Sequence, residues 1–163
     1  MIPIVSIVGK SNSGKTTLLE KIIADLAHRG YRIATIKHNR HGFTIDHEGK
    51  DSYRHKQAGA HTTVVSSPHQ LALVQDVDHD LSFGEIREKF ISGADIILTE
   101  GFKVNDYPKI EVFRSGLGRE RIGKKEDGLI AVASDVSLDI DVPCLDLNDP
   151  KTIADFIEIH FLK

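Results

Sequence analysis

Cysteine and tryptophan are almost missing: the 163 residues include one cysteine, Cys144, and no tryptophan. A lone cysteine cannot close an internal disulfide, so the fold must rest on its apolar core, and no oxidising compartment is implied. Proline is scarce at 5 residues and the 13 glycines follow no period, which excludes collagen-like and low-complexity architectures. No apolar run approaches the roughly 18–20 residues that a bilayer requires. Nor does the opening Met1-Ile2-Pro3-Ile4-Val5 resemble a secretion signal, since it lacks a basic region and reads as the start of a strand. An excess of one charge is lacking too. Lys and Arg number 21 against 24 Asp and Glu, a net charge of −3 that leaves no basic footprint for nucleic acid or an anionic membrane. The expectation is a single cytoplasmic domain over residues 1–163, bound to neither.

What is present is an alternation of short β-branched runs and amphipathic stretches. Ile4-Val5-Ser6-Ile7-Val8 reads as a buried strand. From Lys15 the period turns helical, with Leu18, Leu19, Ile22, Ile23 and Leu26 on one face and Gly30 in the position of a C′ glycine. Arg32-Ile33-Ala34-Thr35-Ile36-Lys37 is the next strand, completing a βαβ opening. Residues 38–50 are polar and irregular. Asp51 or Ser52 is placed to cap a short helix ending near Gly59, and the runs 62–66 and 71–74 predict a hairpin around Pro68. Ser82-Phe83-Gly84-Glu85 has the spacing of a capping box, ahead of a stripe formed by Phe83, Ile86 and Phe90. Strands follow at 96–99, 109–113 and 129–133, and a last helix has Asp149 as its cap and Pro150 in its first turn. The pattern predicts an α/β fold: a P-loop NTPase-like, mostly parallel sheet with helices on both faces.

Between the first strand and the first helix, Gly9-Lys10-Ser11-Asn12-Ser13-Gly14-Lys15-Thr16 matches G-x-x-x-x-G-K-[ST] in full. Two glycines let successive backbone N–H groups curl into one concavity, an anion nest, and the following helix adds its free N–H groups and positive dipole end. Lys15 reaches the β- and γ-phosphates, and the Thr16 hydroxyl is a ligand for Mg²⁺. A chance match is on the order of one in a hundred for a chain of this size, and the strand-to-helix context is the confirming one.

A triphosphate-bound metal takes a further contact from a carboxylate at the carboxyl end of a neighbouring strand. Glu100, after Ile96-Ile97-Leu98-Thr99 and before Gly101, is so placed, although ending a strand beside a turn glycine is its plainer explanation. Asp46, Glu48 and Asp51 are further candidates, with Asp46 the switch-like Mg²⁺ contact. Five of the nine histidines fall at 38, 41, 47, 55 and 61, yet no pair has zinc spacing and no cysteine joins them. No N-K-x-D run reads guanine. Asp135, closing Ala133-Ser134-Asp135, can accept both N–H groups of a guanine edge or serve simply as a turn cap. The stretch 114–128 holds Arg114, Arg119, Arg121, Lys124 and Lys125, and reads as a lid bringing an arginine to the phosphates or as a solvated loop.

One family resembles this series. Its markers are residues 9–17, Lys37-His38, Asp46 with Gly49-Lys50-Asp51-Ser52, Ala58-Gly59-Ala60, Thr99-Glu100-Gly101-Phe102-Lys103, Lys109-Ile110 and Ala131-Val132-Ala133-Ser134-Asp135. Together they resemble the MobB family of accessory nucleotide-binding proteins in molybdopterin guanine dinucleotide biosynthesis. The resemblance implies a GTP-binding homodimer joined through an extended sheet, with at most weak GTPase activity. Its partners would be the molybdopterin guanylyltransferase that it assists and molybdoenzymes. It also implies phosphate contacts from Gly9, Lys10, Ser11, Asn12, Ser13, Gly14, Lys15, Thr16 and Thr17. Thr16, Glu100 and Asp46 would lie near Mg²⁺, with Lys15, Asp46 and Glu100 as the catalytic candidates and Asp135 at the base. The histidines after Lys37 receive no role. A small-molecule kinase using ATP or GTP, its acceptor site built from 38–61 and 114–128, is the competing function.

Overall fold

The β-branched runs pair into one six-stranded sheet in the computed structural model, which describes residues 1–39, 41–101, 105–118 and 120–163. Phe102, Lys103 and Arg119, named above, lie outside the described residues. The strands are β1 (Ile4–Val8), β2 (Ile33–Lys37), β5 (Ile96–Glu100), β6 (Lys109–Phe113), β7 (Leu129–Ser134) and β8 (Cys144–Asp146), in the order β2-β5-β1-β6-β7-β8. Every pairing is parallel. A parallel sheet buries both faces, which is why these strands are apolar almost throughout. The expected α/β class holds. β8 escaped the sequence pattern because three residues behind Pro143 are too few to show a period.

Helix α1 (Lys15–His28) buries Leu18, Leu19, Ile22 and Leu26, the stripe that its 3.6-residue period lays out. Gly30 follows with φ 95°, the left-handed conformation expected after a helix end. Helix α4 (Pro150–Phe161) buries Ile153, Ala154 and Ile157, and its Asp149 cap accepts from Thr152 N. Both helices share one core with Val5, Ile7, Ile96, Leu98, Ile110, Val112, Ala131 and Ala133. Alternate residues of each strand therefore face α1 and α4. The intervening positions include the buried Ser6, Thr99, Lys109 and Glu111. Thr99 Oγ1 donates to Ser6 Oγ at 3.0 Å, and the Glu111 carboxylate accepts from Ile122 N and Gly123 N at 2.7 and 3.1 Å. Loop segments thus satisfy the polar groups on that second face.

The chain divides into two compact units, 1–38 with 87–163 and 39–86. In the second, α2 (Asp51–Gln57) is followed by the antiparallel pair β3 (Thr62–Ser66) and β4 (Leu71–Gln75), as the hairpin signal predicts. Lys50, not Asp51 or Ser52, occupies the N-cap of α2; Asp51 is its first helical residue, where a carboxylate still opposes the helix dipole. Helix α3 (Phe83–Phe90) begins with the expected reciprocal box: Glu85 N donates to Ser82 Oγ and Ser82 N to Glu85 Oε2. Phe83 is buried but Phe90, the last residue of the helix, is 45% exposed, so the expected stripe stops short of it. Among the described residues no helix is long and apolar enough to cross a membrane.

Candidate functional site

The glycine-bounded loop leaves the carboxyl end of β1, between β5 and β6, where the strand order switches direction. Ligands gather at such a crevice. Gly9 has φ 149°, and a Cβ there would stand 2.6 Å from the Val112 carbonyl oxygen, so only glycine lets the loop pass this close to β6. Asn12, at φ 65°, and Gly14, at φ 93°, turn the backbone through the left-handed region. Gly14 is the N-cap of α1 and supplies no side-chain cap, and the first turn holds no acid. The contrast with α3 and α4, both capped by side chains, leaves the amino end of α1 open to an outside anion. Lys15 Nζ donates to the Lys10 carbonyl at 2.7 Å and so folds back over the loop. Ser13 Oγ is buried and has no hydrogen-bond partner among the described residues, which costs about 1–3 kcal/mol until something satisfies it.

Strand parity decides which side chains meet the loop. Glu100 shares the phase of Ile96 and Leu98, so it emerges on the α1 face one residue beyond the apolar run. There Thr16 Oγ1 donates to Glu100 Oε1 and Oε2 at 3.0 and 3.1 Å. Lys37, the register partner of Glu100 on β2, adds an ion pair from Nζ to Oε1 at 2.6 Å. Glu100 is buried while Lys37 is half exposed. Gly101, at φ 109°, allows the approach of the two strand ends, since a Cβ there would stand 2.6 Å from the His38 carbonyl oxygen. Lys37 was legible only as a family marker; a lysine closing the strand run Ile33-Ala34-Thr35-Ile36 was the available signal.

Among the described residues no three His, Cys, Asp or Glu side chains cluster as a metal cage. The donor set fits a metal held mainly by phosphate oxygens. Mg²⁺ keeps several waters and needs only one or two protein contacts. The Thr16 hydroxyl would be the ligand, with Glu100, already neutralised by Lys37, accepting from a bound water. A dedicated protein site would need more carboxylates than the described residues gather here.

At the other flank, Asp135 follows β7 in the phase of Ala131 and Ala133, and Arg114 follows β6 in the phase of Ile110 and Val112. Asp135 Oδ1 accepts from Ser115 N at 2.9 Å. That hydrogen bond, with a smaller contribution from the Arg114 charge, holds the Asp135 carboxyl below its ordinary pKa. Asp135 thus ties the end of β7 to the residue after Arg114. Beside it, Ser134, Val136, Cys144, Asp146 and Asn148 help line a cleft of about 360 Å³ at the ends of β7 and β8. Arg114 lies against Ser13 and Gly14. Asp46 belongs to the second unit, where its Oδ1 accepts from His47 N at 2.8 Å. Sequence reasoning missed Glu111, buried in β6 beside Val8; an acid inside an apolar strand run was its signal.

A parallel α/β sheet with a glycine-bounded loop at its switch point defines the class: a fold of the P-loop type. A family model described as MobB, "Molybdopterin guanine dinucleotide synthesis protein B", matches residues 4–135. The chain is 43% identical over 162 residues to the molybdopterin-guanine dinucleotide biosynthesis adapter protein of Escherichia coli K12, with 96% of this chain and 92% of that protein covered. It is 38% identical over 158 residues to the adapter protein of the same name from Haemophilus influenzae, covering 96% and 88%. The crystal structure of Bacillus subtilis MobB superposes with a TM-score of 0.77 at 28% identity, over 98% of each chain. This chain belongs to the MobB family.

Proposed function

We propose that this protein binds GTP with Mg²⁺ and acts as an adapter in molybdopterin guanine dinucleotide biosynthesis, hydrolysing GTP slowly at most. The observation that supports this best is the meeting of Thr16, Glu100 and Lys37 at the mouth of the glycine-bounded loop. Lys15 exchanges its contact with the Lys10 carbonyl for the β- and γ-phosphates, and the amides of residues 10–16 receive the phosphate oxygens. When bound, Mg²⁺ would supply charge neutralisation to the phosphates. Thr16 and Glu100 would hold it, and Asp135 serves the guanine edge. The adapter name of these relatives supports a role in molybdopterin guanine dinucleotide biosynthesis. The partners we propose are the guanylyltransferase and molybdoenzymes, with the chain as a cytoplasmic homodimer.

Calorimetric titration with GTP and ATP, each with Mg²⁺ and with chelator, tests the reading. The expected result is tighter binding of GTP than ATP, with Mg²⁺ strengthening both. Equal heats without saturation for all four would refute it. Rapid transfer of phosphate to a small metabolite would replace the adapter with a kinase.

A further inference from the structure

One guanidinium sits against the loop through a carbonyl. Arg114 Nε donates to Ser13 O at 3.1 Å, and a Cβ built on Gly14 would stand 3.3 Å from Arg114 Nε and from Nη2. Ser13 C=O and Gly14 N–H belong to one planar trans peptide, so the two groups point in opposite directions. A cation on the carbonyl polarises the peptide and makes the Gly14 N–H a stronger donor on the far side. It also fixes the plane of that peptide at the very point where the loop becomes helix. Lys15 is already committed to the Lys10 carbonyl, so Arg114 adds a separate positive charge to the loop.

The strap behind Arg114 is equally defined. Ser115 N donates to Asp135 Oδ1 at 2.9 Å, tying the residue after Arg114 to the end of β7. Asp135 thereby reaches the loop through two hydrogen bonds, Ser115 N to its Oδ1 and Arg114 Nε to Ser13 O, joined by the Arg114–Ser115 peptide. We propose that Arg114 is a positioning residue for phosphate binding, acting through the Ser13–Gly14 peptide, and that Asp135, through Ser115, couples the cleft at β7 and β8 to the phosphate loop. The inference rests on the reading that the loop holds a triphosphate.

Inorganic tripolyphosphate with Mg²⁺ separates the two, because it has phosphates and no base. The full-length chain is titrated with tripolyphosphate and with GTP as wild type, Arg114→Met, Arg114→Lys, Asp135→Ala and the Arg114→Met/Asp135→Ala double variant. Arg114→Met keeps the aliphatic stem and should weaken both ligands by the same factor, about three- to tenfold. Arg114→Lys should recover part of the loss, and the Gly14 amide proton should move upfield in the Met variant before any ligand is added. Asp135→Ala should weaken tripolyphosphate about two- to threefold, and the double variant should be no weaker toward it than Arg114→Met alone, the non-additivity of a shared path. Unchanged tripolyphosphate affinity in a folded Arg114→Met overturns the positioning role. Unchanged tripolyphosphate affinity in Asp135→Ala, with GTP alone weakened, overturns the coupling and leaves that residue a reader of the base. If wild type binds neither ligand, the triphosphate reading fails first.

Discussion

Replacing Glu100 by Gln keeps the shape of the side chain and deletes its charge. The carboxylate accepts the Thr16 hydroxyl at 3.0 and 3.1 Å and pairs with Lys37 at 2.6 Å while buried in the end of β5. A charge-assisted hydrogen bond is worth about 1.5–3 kcal/mol, so loss of an anionic acceptor for a metal-bound water should weaken Mg²⁺-dependent GTP binding about 10- to 150-fold. Without metal the sign reverses. Glu100 then has no bound water to accept from, and Gln leaves the Lys37 cation unpaired beside the loop, so the variant should bind metal-free GTP as well as wild type or better. Stability should change little, because the amide oxygen still accepts from Thr16 and Lys37, half exposed, returns to water. Paired titrations in excess Mg²⁺ and in chelator, with a melting curve for each protein, measure all three quantities. Equal losses in both buffers would refute the assignment of Glu100 to the metal side of the site.

Three further outcomes follow from the geometry. Lys15→Ala should remove most triphosphate affinity, read by fluorescent-nucleotide displacement, and leave the melting temperature close to wild type, because the side chain lies over the loop and not in the core. Gly101→Ala should destabilise the fold by about 2–5 kcal/mol, since it combines a left-handed backbone with a Cβ 2.6 Å from the His38 carbonyl oxygen; a chemical-denaturation midpoint equal to wild type would contradict this. Glu85 has its pKa lowered to about 2, first by the Ser82 backbone N–H and then by His79 and the Ser82 hydroxyl. A depressed folded pKa means that its capping contribution is complete above the ordinary value of 4.5 and fades as pH falls toward about 2. Carbon-detected NMR of the Glu85 carboxyl should place its midpoint well below that of an exposed glutamate, and Glu85→Gln should flatten the pH dependence of stability across that window.

Local elements and the loop were legible in the amino-acid order alone. Gly9 and Gly14 at their spacing, the α1 stripe from Leu18 to Leu26, the Ser82–Glu85 box and the Asp149 cap are local rules, written within a few residues and realised as read. Family resemblance was equally legible, because its markers run from β1 to Asp135. Adjacency was not, because it arises only once the strands have paired. Strand order put β5 beside β1 and β2, and parity then sent Glu100 and Lys37 to the α1 face to meet Thr16. No local pattern states that Arg114, 101 positions from Ser13, lies on its carbonyl, or that Asp135 is held by the residue next to Arg114. A period of 2 or 3.6 residues records which side of an element is buried, but contacts between elements depend on which strands pair, and that is settled by the packing of the whole core.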